Sequence, residues 1–327
     1  MDALKSAKNL EIVNKIRAIM IRREMSQKDF ALLLNKRESE VSRWMSNKVC
    51  ISAKNLERIE AVFGEPVQTG SGVKNDAKVV AGVQRNYAII LAGGVGSRVG
   101  ASVPKQFVEI LGKPVLAYTI EVYQNHPDID GIEIVCVNHY EDTLRDMIKK
   151  YQLTKVRWIC QGGATFQDSV YNGVRNLVGK IDKNDIVMVH YGAAPFTSAQ
   201  ILTDAIRVCR QYGSSVSFTP CFQLMGSNDG DGESKCWVDR DKYVQIACPQ
   251  SFRFQYICDI YEEAIENNLL SKVEPHTTSL MYLMGETLHL SYGDQSNIKI
   301  TTKEDLDMFE GYALMRLYRE GKITIKD

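Results

Sequence analysis

The most constraining feature of this sequence is a short apolar run, Tyr87-Ala88-Ile89-Ile90-Leu91-Ala92, that leads directly into a glycine-rich turn. The run has the length and composition of a buried strand. Four glycines follow within eight residues, at positions 93, 94, 96 and 100. Glycine lets the backbone turn sharply and lets a ligand approach its N–H groups. Arg98 and Lys105 lie just beyond, and both can hold phosphate oxygens. The feature therefore predicts a strand followed by a phosphate-binding turn.

This turn does not match the two most common phosphate-binding motifs. No Gly-Lys-Ser or Gly-Lys-Thr follows it, which excludes the P-loop pattern. Val99 stands where the third glycine of the dinucleotide-binding motif would fall. A glycine-rich turn also occurs without any ligand, so a purely structural role stays open at this point.

Downstream of residue 87, predicted strands alternate with predicted helices. The predicted strands cover 131–137, 156–160, 185–190 and 215–218, and the predicted helices cover 114–124, 140–151, 167–177 and 198–212. This order is typical of an α/β, Rossmann-like fold with a mostly parallel sheet and helices on both faces. Ligands of such sheets bind at the carboxyl ends of the strands. The glycine-rich turn, Gly162-Gly163 and His190 all fall there, which favours a nucleotide or phosphate site.

Residues 1–64 have a different, helical pattern. Ser26 is a predicted N-cap, a second helix begins near Glu38, and a third runs from Ser52 to Phe63. This segment carries thirteen Lys and Arg against eight Asp and Glu, a net charge of +5 in a chain whose total is zero. A small basic helical unit attached to an acidic body is typical of a nucleic-acid-binding domain.

Two stretches of this segment resemble the phage-repressor-like helix-turn-helix family, namely Met25-Ser26-Gln27-Lys28-Asp29-Phe30-Ala31 and Val41-Ser42-Arg43-Trp44. The resemblance implies that the second helix enters the major groove of double-stranded DNA. The side chains it places toward DNA are Gln27, Ser39, Glu40, Ser42 and Arg43. Those it places inside the domain are Phe30, Leu33, Val41 and Trp44. A plain helical interaction module remains the alternative.

The predicted organisation is a helix-turn-helix domain over 1–64, a flexible linker over 65–86, and a nucleotide-binding domain over 87–327. The linker is predicted because 65–72 combines Gly, Ser and Pro without apolar periodicity.

The eight cysteines form no C-x-x-C pair, which argues against a zinc site. No signal peptide or long apolar run occurs. We therefore expect a cytoplasmic protein with reduced thiols and no membrane partner.

Residues 87–327 resemble the 2-C-methyl-D-erythritol 4-phosphate cytidylyltransferases and the related ribitol-5-phosphate cytidylyltransferases. The matching segments occur in the family's order at 91–98, 104–107, 111–116, 168–170, 249–252 and 297–306. The resemblance implies that CTP and a polyol phosphate give a CDP-polyol and pyrophosphate. The matching segments do not single out one polyol phosphate.

The resemblance also implies roles for individual residues. Catalysis on the triphosphate would fall to Arg98, Lys105 and Lys299, with Lys299 at the α-phosphate. The nucleotide would lie against Ala92, Gly93, Gly94, Gly96, Gly163 and Ser169. Arg240 would bind the acceptor phosphate. The segment 228–232 before it would be the tip of a hairpin arm that crosses to a partner subunit, which implies a homodimer.

Several positions depart from the family pattern, among them 223–224, 247–248 and four positions at which the family has charged residues. Tyr191 and Ser296 stand where the family has acidic residues, and Phe166 and Ala194 stand where it has arginines. Because Mg²⁺ prefers carboxylate and phosphate oxygens, these changes leave Mg²⁺ held mainly by CTP, or not held at all, and no metal ligand of the chain is assigned. Two interpretations follow. The chain is either a transferase adapted to another phosphorylated alcohol, or a DNA-binding regulator whose C-terminal domain senses a nucleotide or polyol phosphate.

Overall fold

A computed structural model describes residues 12–17, 19–20, 23, 25–34, 36–46, 49, 51–64, 67, 84–94 and 103–324. The chain divides into two compact units. The first combines Met1–Gly82 with Ile260–Leu288, and the second combines Val83–Asp259 with His289–Asp327. The predicted domain boundaries stay a prediction, and most of the predicted linker lies outside the described residues.

The first unit contains the predicted helices of the N-terminal region. They are α1 (Gln27–Leu33), α2 (Glu38–Met45) and α3 (Ala53–Phe63), and a helical stretch over 12–17 and 19–20 precedes them. Ser26 caps α1 in a reciprocal capping box with Asp29. Gly64 ends α3 with a φ of 69°, a left-handed conformation that glycine adopts without strain. The predicted helix starts and the predicted stop at Gly64 are therefore confirmed.

The core of these helices corrects one prediction. Phe30, Val41 and Trp44 are buried as predicted, but Leu33 is 53% exposed, so its predicted inward position is wrong. Leu34 is buried instead. The reason is helical geometry, because residues four apart share a face and Leu34 is four residues after Phe30.

The second unit is built on a large sheet of seven described strands, beside which two short strands form a separate antiparallel pair. The described strands are β1 (Asn86–Ala92), β2 (Glu109–Ile110), β3 (Lys113–Pro114), β4 (Gly131–Cys136), β5 (Val156–Gln161), β6 (Ile186–Tyr191), β7 (Ser214–Pro220), β8 (Val244–Arg253) and β9 (Leu290–Tyr292). The large sheet has the order β5-β4-β1-β6-β8-β7-β9, and the separate pair is β2 with β3. β1 pairs in parallel with β4 and β6, whereas β8 runs antiparallel to β6 and β7. The predicted, mostly parallel sheet is confirmed.

Helices cover the sheet and bury β1, one of its inner strands. Those of the second unit are α4 (Val115–Gln124), α5 (Glu141–Lys150), α6 (Phe166–Leu177), α7 (Ala199–Tyr212) and the start of α8 (Phe254–Glu266). All seven residues of β1 are buried. On one face Ile90 joins a core cluster with Leu116 of α4. On the other face Ile89 contacts Gly173 of α6, where an added Cβ would lie 2.8 Å from the Ile89 side chain.

Two further helices follow in the chain. They are α9 (Thr277–Leu283), within the first unit, and α10 (Lys303–Arg319), within the second. In the first unit Gly285 has a φ of 78° and lies against the backbone of Asn14 and Lys15. None of the described helices is long and apolar enough to cross a membrane.

Candidate active site

A cavity of about 720 Å³ opens at the carboxyl ends of β1, β4, β5 and β6. Loops after parallel strands converge at one edge of a sheet, which is where such folds bind ligands. The loops contribute Gly93 and Gly94, residues 137–139, residues 162–166, and residues 191–193. The remaining lining residues are Leu91, Lys105, Gln106, Ser169, Lys299 and Thr301.

Most of the described residues that the sequence assigned to the site lie at this cavity. Its lining includes Gly93, Gly94, Lys105, Gly163, Ser169 and Lys299. Ala92 is buried immediately before Gly93 and does not line the cavity. Arg98 and Gly96 lie outside the described residues.

Arg240 does not lie at this cavity. It begins a short 3₁₀ turn, Arg240–Lys242, and its guanidinium donates a hydrogen bond to the Phe222 carbonyl oxygen. The structure therefore does not bring Arg240 together with the other site residues of the same chain. Its role at the acceptor phosphate stays a prediction.

The glycines allow the turns around the cavity to approach one another closely. A Cβ added to Gly163 would lie 2.2 Å from the Asp168 Cβ, and one added to Gly93 would lie 3.4 Å from the Gly162 Cα. Ser169 Oγ accepts a 3.0 Å hydrogen bond from the Gly163 N–H. Ser169 therefore fixes the turn that leads into α6, whose N-terminus borders the cavity and favours negative charge there.

Gln106 is a site residue that the sequence analysis did not single out. It is buried, and its side-chain amide donates hydrogen bonds to the carbonyl oxygens of Ala92 at 2.7 Å and Gly94 at 2.9 Å. It thereby fixes the glycine turn after β1. Its place in the matching segment 104–107 is the signal that would have identified it.

Two lysines supply positive charge to the cavity. Lys105 Nζ donates a 2.7 Å hydrogen bond to the Ile300 carbonyl oxygen, so it lies beside the backbone that carries Lys299. Ile300 N–H in turn donates to the Ala193 carbonyl oxygen at 2.8 Å. Lys299 Nζ lies 4.1 Å from the centre of the Tyr191 ring. Ammonium groups in this arrangement favour a ligand with several phosphates.

His190 lies behind the cavity rather than in its lining. Its ring is fully buried, and Nε2 lies 3.1 Å from the Ala194 carbonyl oxygen. Burial lowers the pKa of His190 to about 4, although the Ala194 contact opposes that shift. The ring is therefore neutral near pH 7, and it supports the backbone after β6.

The residues at the cavity do not fit a magnesium ion held by the chain. The described lining contains no Asp or Glu, and the neighbouring residues 95–102 contain none in the sequence. Throughout the described parts of the chain, no group of three or more His, Cys, Asp or Glu residues could hold a metal ion. Magnesium sites in proteins use carboxylate oxygens together with phosphate and water. The ionised side chains of the described lining are cations.

Comparison with known proteins agrees with this fold and site. A family model described as 2-C-methyl-D-erythritol 4-phosphate cytidylyltransferase matches residues 86–315, and a helix-turn-helix model matches residues 16–69. A ribitol-5-phosphate cytidylyltransferase of Lacticaseibacillus paracasei is 35% identical over 225 residues, which are 69% of this chain and 96% of that protein. A 2-C-methyl-D-erythritol 4-phosphate cytidylyltransferase of Clostridium novyi is 32% identical over 229 residues, 70% of this chain and 96% of that protein.

A solved structure of a related protein has a similar fold. The crystal structure of 4-diphosphocytidyl-2C-methyl-D-erythritol synthase from Anaerococcus prevotii superposes with a TM-score of 0.60 at 25% identity. The superposition covers 71% of this chain and 96% of that one. From its fold, its cavity and these relatives, the chain belongs to the 2-C-methyl-D-erythritol 4-phosphate cytidylyltransferase family of nucleotidyltransferases, with a helix-turn-helix region at its N-terminus.

Proposed function

We propose that this protein transfers the cytidylyl group of CTP to the phosphate of a polyol phosphate of the ribitol-5-phosphate or 2-C-methyl-D-erythritol 4-phosphate class. One observation carries the proposal. Lys105 and Lys299 lie at the same cavity as the glycine turns at Gly93 and Gly163. The lysines suit the triphosphate, and the exposed backbone of the turns suits the nucleoside. The two kinds of named relatives support the acceptor class.

The reaction joins two phosphates. An oxygen of the acceptor phosphate attacks the α-phosphorus of CTP and forms a new P–O bond. The bond from that phosphorus to the oxygen bridging to the β-phosphate breaks, and pyrophosphate leaves with the electron pair. The chain contributes positioning and charge stabilisation. In this proposal Lys299 acts at the α-phosphate, Lys105 and Arg98 hold the other phosphates, and Mg²⁺ is assigned to the phosphates of CTP.

The test is pyrophosphate release by the full chain with CTP, Mg²⁺ and a panel of polyol phosphates. Ribitol 5-phosphate, 2-C-methyl-D-erythritol 4-phosphate and glycerol 3-phosphate form the panel, and a reaction without acceptor is the control. We expect release only with an acceptor, and tighter calorimetric binding of CTP than of ATP, GTP or UTP. Equal affinity for the four nucleotides would remove the basis of the proposal. Tight CTP binding without release for any acceptor would support the nucleotide-sensing regulator.

We also propose that the acceptor site is completed by a second copy of the chain. Residues before Arg240 form a hairpin arm, closed by a 2.9 Å hydrogen bond from the Val238 N–H to the Met225 carbonyl oxygen. Leu224 and Trp237 on this arm are 92% and 77% exposed. Large apolar side chains grouped on a surface are typical of an interaction site. Light scattering of the full chain is expected to give a dimer, and Leu224→Ser with Trp237→Ser is expected to give a monomer.

The first unit supports a further proposal, that α2 binds double-stranded DNA. Ser39, Ser42 and Arg43 are exposed on α2, and Gln27 is exposed at the start of α1. Glu40, which is half-buried, pairs with Lys36 at 2.8 Å, so its negative charge is offset. The helix-turn-helix match over residues 16–69 supports this proposal. Titration of the full chain with labelled duplexes at low salt tests it.

A further inference from the structure

We infer that Tyr191 is a positioning residue, whose aromatic ring holds the Lys299 ammonium at the place where it meets the α-phosphate of CTP. This inference rests on the function proposed above. The observation behind it is the 4.1 Å distance between Lys299 Nζ and the centre of the Tyr191 ring. At this distance an ammonium is attracted to the negative face of an aromatic ring.

The ring itself is held in place. Tyr191 is the last residue of β6, and its backbone is in register with Leu91 of β1. The ring of Phe166, the first residue of α6, packs against the Tyr191 ring with centroids 5.5 Å apart and planes tilted by 56°. Phe166 therefore limits the rotation of the Tyr191 ring. Phe166 and Tyr191 thus form one aromatic contact in the lining of the cavity.

The backbone that carries Lys299 is held as well. On one side, Ile300 is bound to Ala193 through its N–H and to Lys105 through its carbonyl oxygen. On the other side, the buried Asn297 side chain donates a 2.6 Å hydrogen bond to the Cys248 carbonyl oxygen. With the backbone fixed at both sides, the position of the Lys299 ammonium is set by the contacts of its long side chain. The Tyr191 ring is a contact that restricts that side chain.

An aromatic ring holds an ammonium without neutralising it. A carboxylate at position 191 would pair with Lys299 and cancel much of its charge, and it would also offer an oxygen to a metal ion. The Tyr191 ring contact itself takes none of the positive charge of Lys299 away from the triphosphate. CTP binding is therefore expected to depend less on Mg²⁺ than it would with an acidic residue at this position.

The first test is a double-mutant cycle on CTP affinity, measured by calorimetry on the full chain with EDTA present. Tyr191→Leu removes the ring, Tyr191→Phe keeps it, and Lys299→Met removes the ammonium. Tyr191→Leu is expected to weaken CTP binding about three- to tenfold, whereas Tyr191→Phe stays within about twofold of wild type. In the Lys299→Met background Tyr191→Leu is expected to cause no further loss, because the two residues act as one unit.

The second test does not depend on CTP. Reductive methylation with carbon-13 labels the lysine ammonium groups and keeps their charge. The signal that disappears in Lys299→Met is expected upfield in wild type and in Tyr191→Phe, because of the ring current, and at the ordinary lysine position in Tyr191→Leu. Tyr191→Met is a second ring-free variant, and urea unfolding of each variant confirms that it is folded.

These measurements test the proposed function and the role of Tyr191 separately. Absence of CTP binding in wild type would contradict the proposed function, while the lysine spectrum would still decide the role of Tyr191. Additive losses in the cycle, or a Lys299 signal that does not move in Tyr191→Leu, would overturn the inference. A Tyr191→Phe variant as weak as Tyr191→Leu would also overturn it, because the hydroxyl and not the ring would then be responsible.

Discussion

Gln106 and Ala92 are joined by a buried hydrogen bond, in which the Gln106 side-chain amide donates to the Ala92 carbonyl oxygen at 2.7 Å. The same amide donates to the Gly94 carbonyl oxygen at 2.9 Å. Because a trans peptide group points its N–H opposite to its C=O, these bonds fix the direction of the peptide groups that begin the glycine turn. The conformation of the glycine turn is therefore fixed by the side chain of Gln106, which belongs to a separate segment of the chain.

Gln106→Leu keeps the approximate size of the side chain but removes both donors. We expect the free energy of unfolding to fall by about 1–3 kcal/mol and CTP affinity to fall because the glycine turn shifts. Urea unfolding and calorimetry check these two effects. The control is Gln255→Leu, whose exposed amide bonds Asp259 on the same helix. A folded Gln106→Leu variant with wild-type CTP affinity would show that the turn does not need this side chain.

The alternation of strands and helices between residues 87 and 220 could be predicted because each element has its own local pattern. Strand β8 could not, because Val244, Gln245 and Ile246 at its start are exposed and give no pattern of burial. A strand of this kind is specified by pairing with β6 and β7, which are distant in sequence.

The candidate site also combines residues that could be predicted from local sequence with contacts that could not. The glycines and lysines could be assigned because they lie in recognisable segments. The contact of Lys299 with Tyr191, and the bonds of Gln106 to the turn after β1, depend on how distant segments fold together. No local periodicity encodes such contacts, so they became visible only in three dimensions.

Lys105→Ala tests the phosphate-binding role of this lysine. Charge-assisted hydrogen bonds to phosphate are strong, so we expect CTP affinity to fall by at least about tenfold. The lost bond to the Ile300 carbonyl oxygen is expected to cost only about 1 kcal/mol of stability. Calorimetry and urea unfolding measure the two effects, and Lys149→Ala on the exposed face of α5 is the control. An unfolded Lys105→Ala variant would instead identify a structural lysine.

Tyr191→Asp tests how the site handles metal. The new carboxylate would pair with Lys299 and offer an oxygen to Mg²⁺, so activity and CTP binding are expected to become more dependent on Mg²⁺. Pyrophosphate release and CTP affinity across a Mg²⁺ series, for wild type and variant, provide the measurement. Identical Mg²⁺ curves for the two proteins would contradict the expectation.

Arg43→Ala tests the DNA proposal. Arg43 is exposed near the end of α2, and its loss is expected to weaken duplex binding by the full chain. If Arg43 contacts a phosphate, the slope of log affinity against log salt should fall by about 1. Fluorescence anisotropy over a salt series measures this, and Arg145→Ala on α5 controls for general loss of positive charge. No binding at low salt to random or selected duplexes would leave the interaction module as the better account.

Glu133 gives the stability of the second unit a specific pH dependence. It is fully buried on β4, and the Asn176 side-chain amide of α6 donates a hydrogen bond to Oε1. Burial raises the pKa of Glu133 from 4.5 to about 7, although the bond from Asn176 opposes that shift. Between these two values the unfolded chain has released the proton while the folded chain keeps it. The contribution of Glu133 to stability therefore falls as pH rises through this window.

Glu133→Gln carries no ionisable proton and is expected to remove this decline. Relative to wild type, the variant should gain stability between pH 4.5 and pH 8 by up to about 3 kcal/mol. The measurement is the difference in unfolding free energy between the two proteins in urea at several pH values. Burial lowers the pKa of His190 to about 4, so His190 makes stability rise with pH between about 4 and 6.5. Both proteins contain His190, so taking the difference between them removes this opposite trend. The control is Glu109→Gln, an exposed site on β2, and a Glu133→Gln profile parallel to wild type would contradict the assignment.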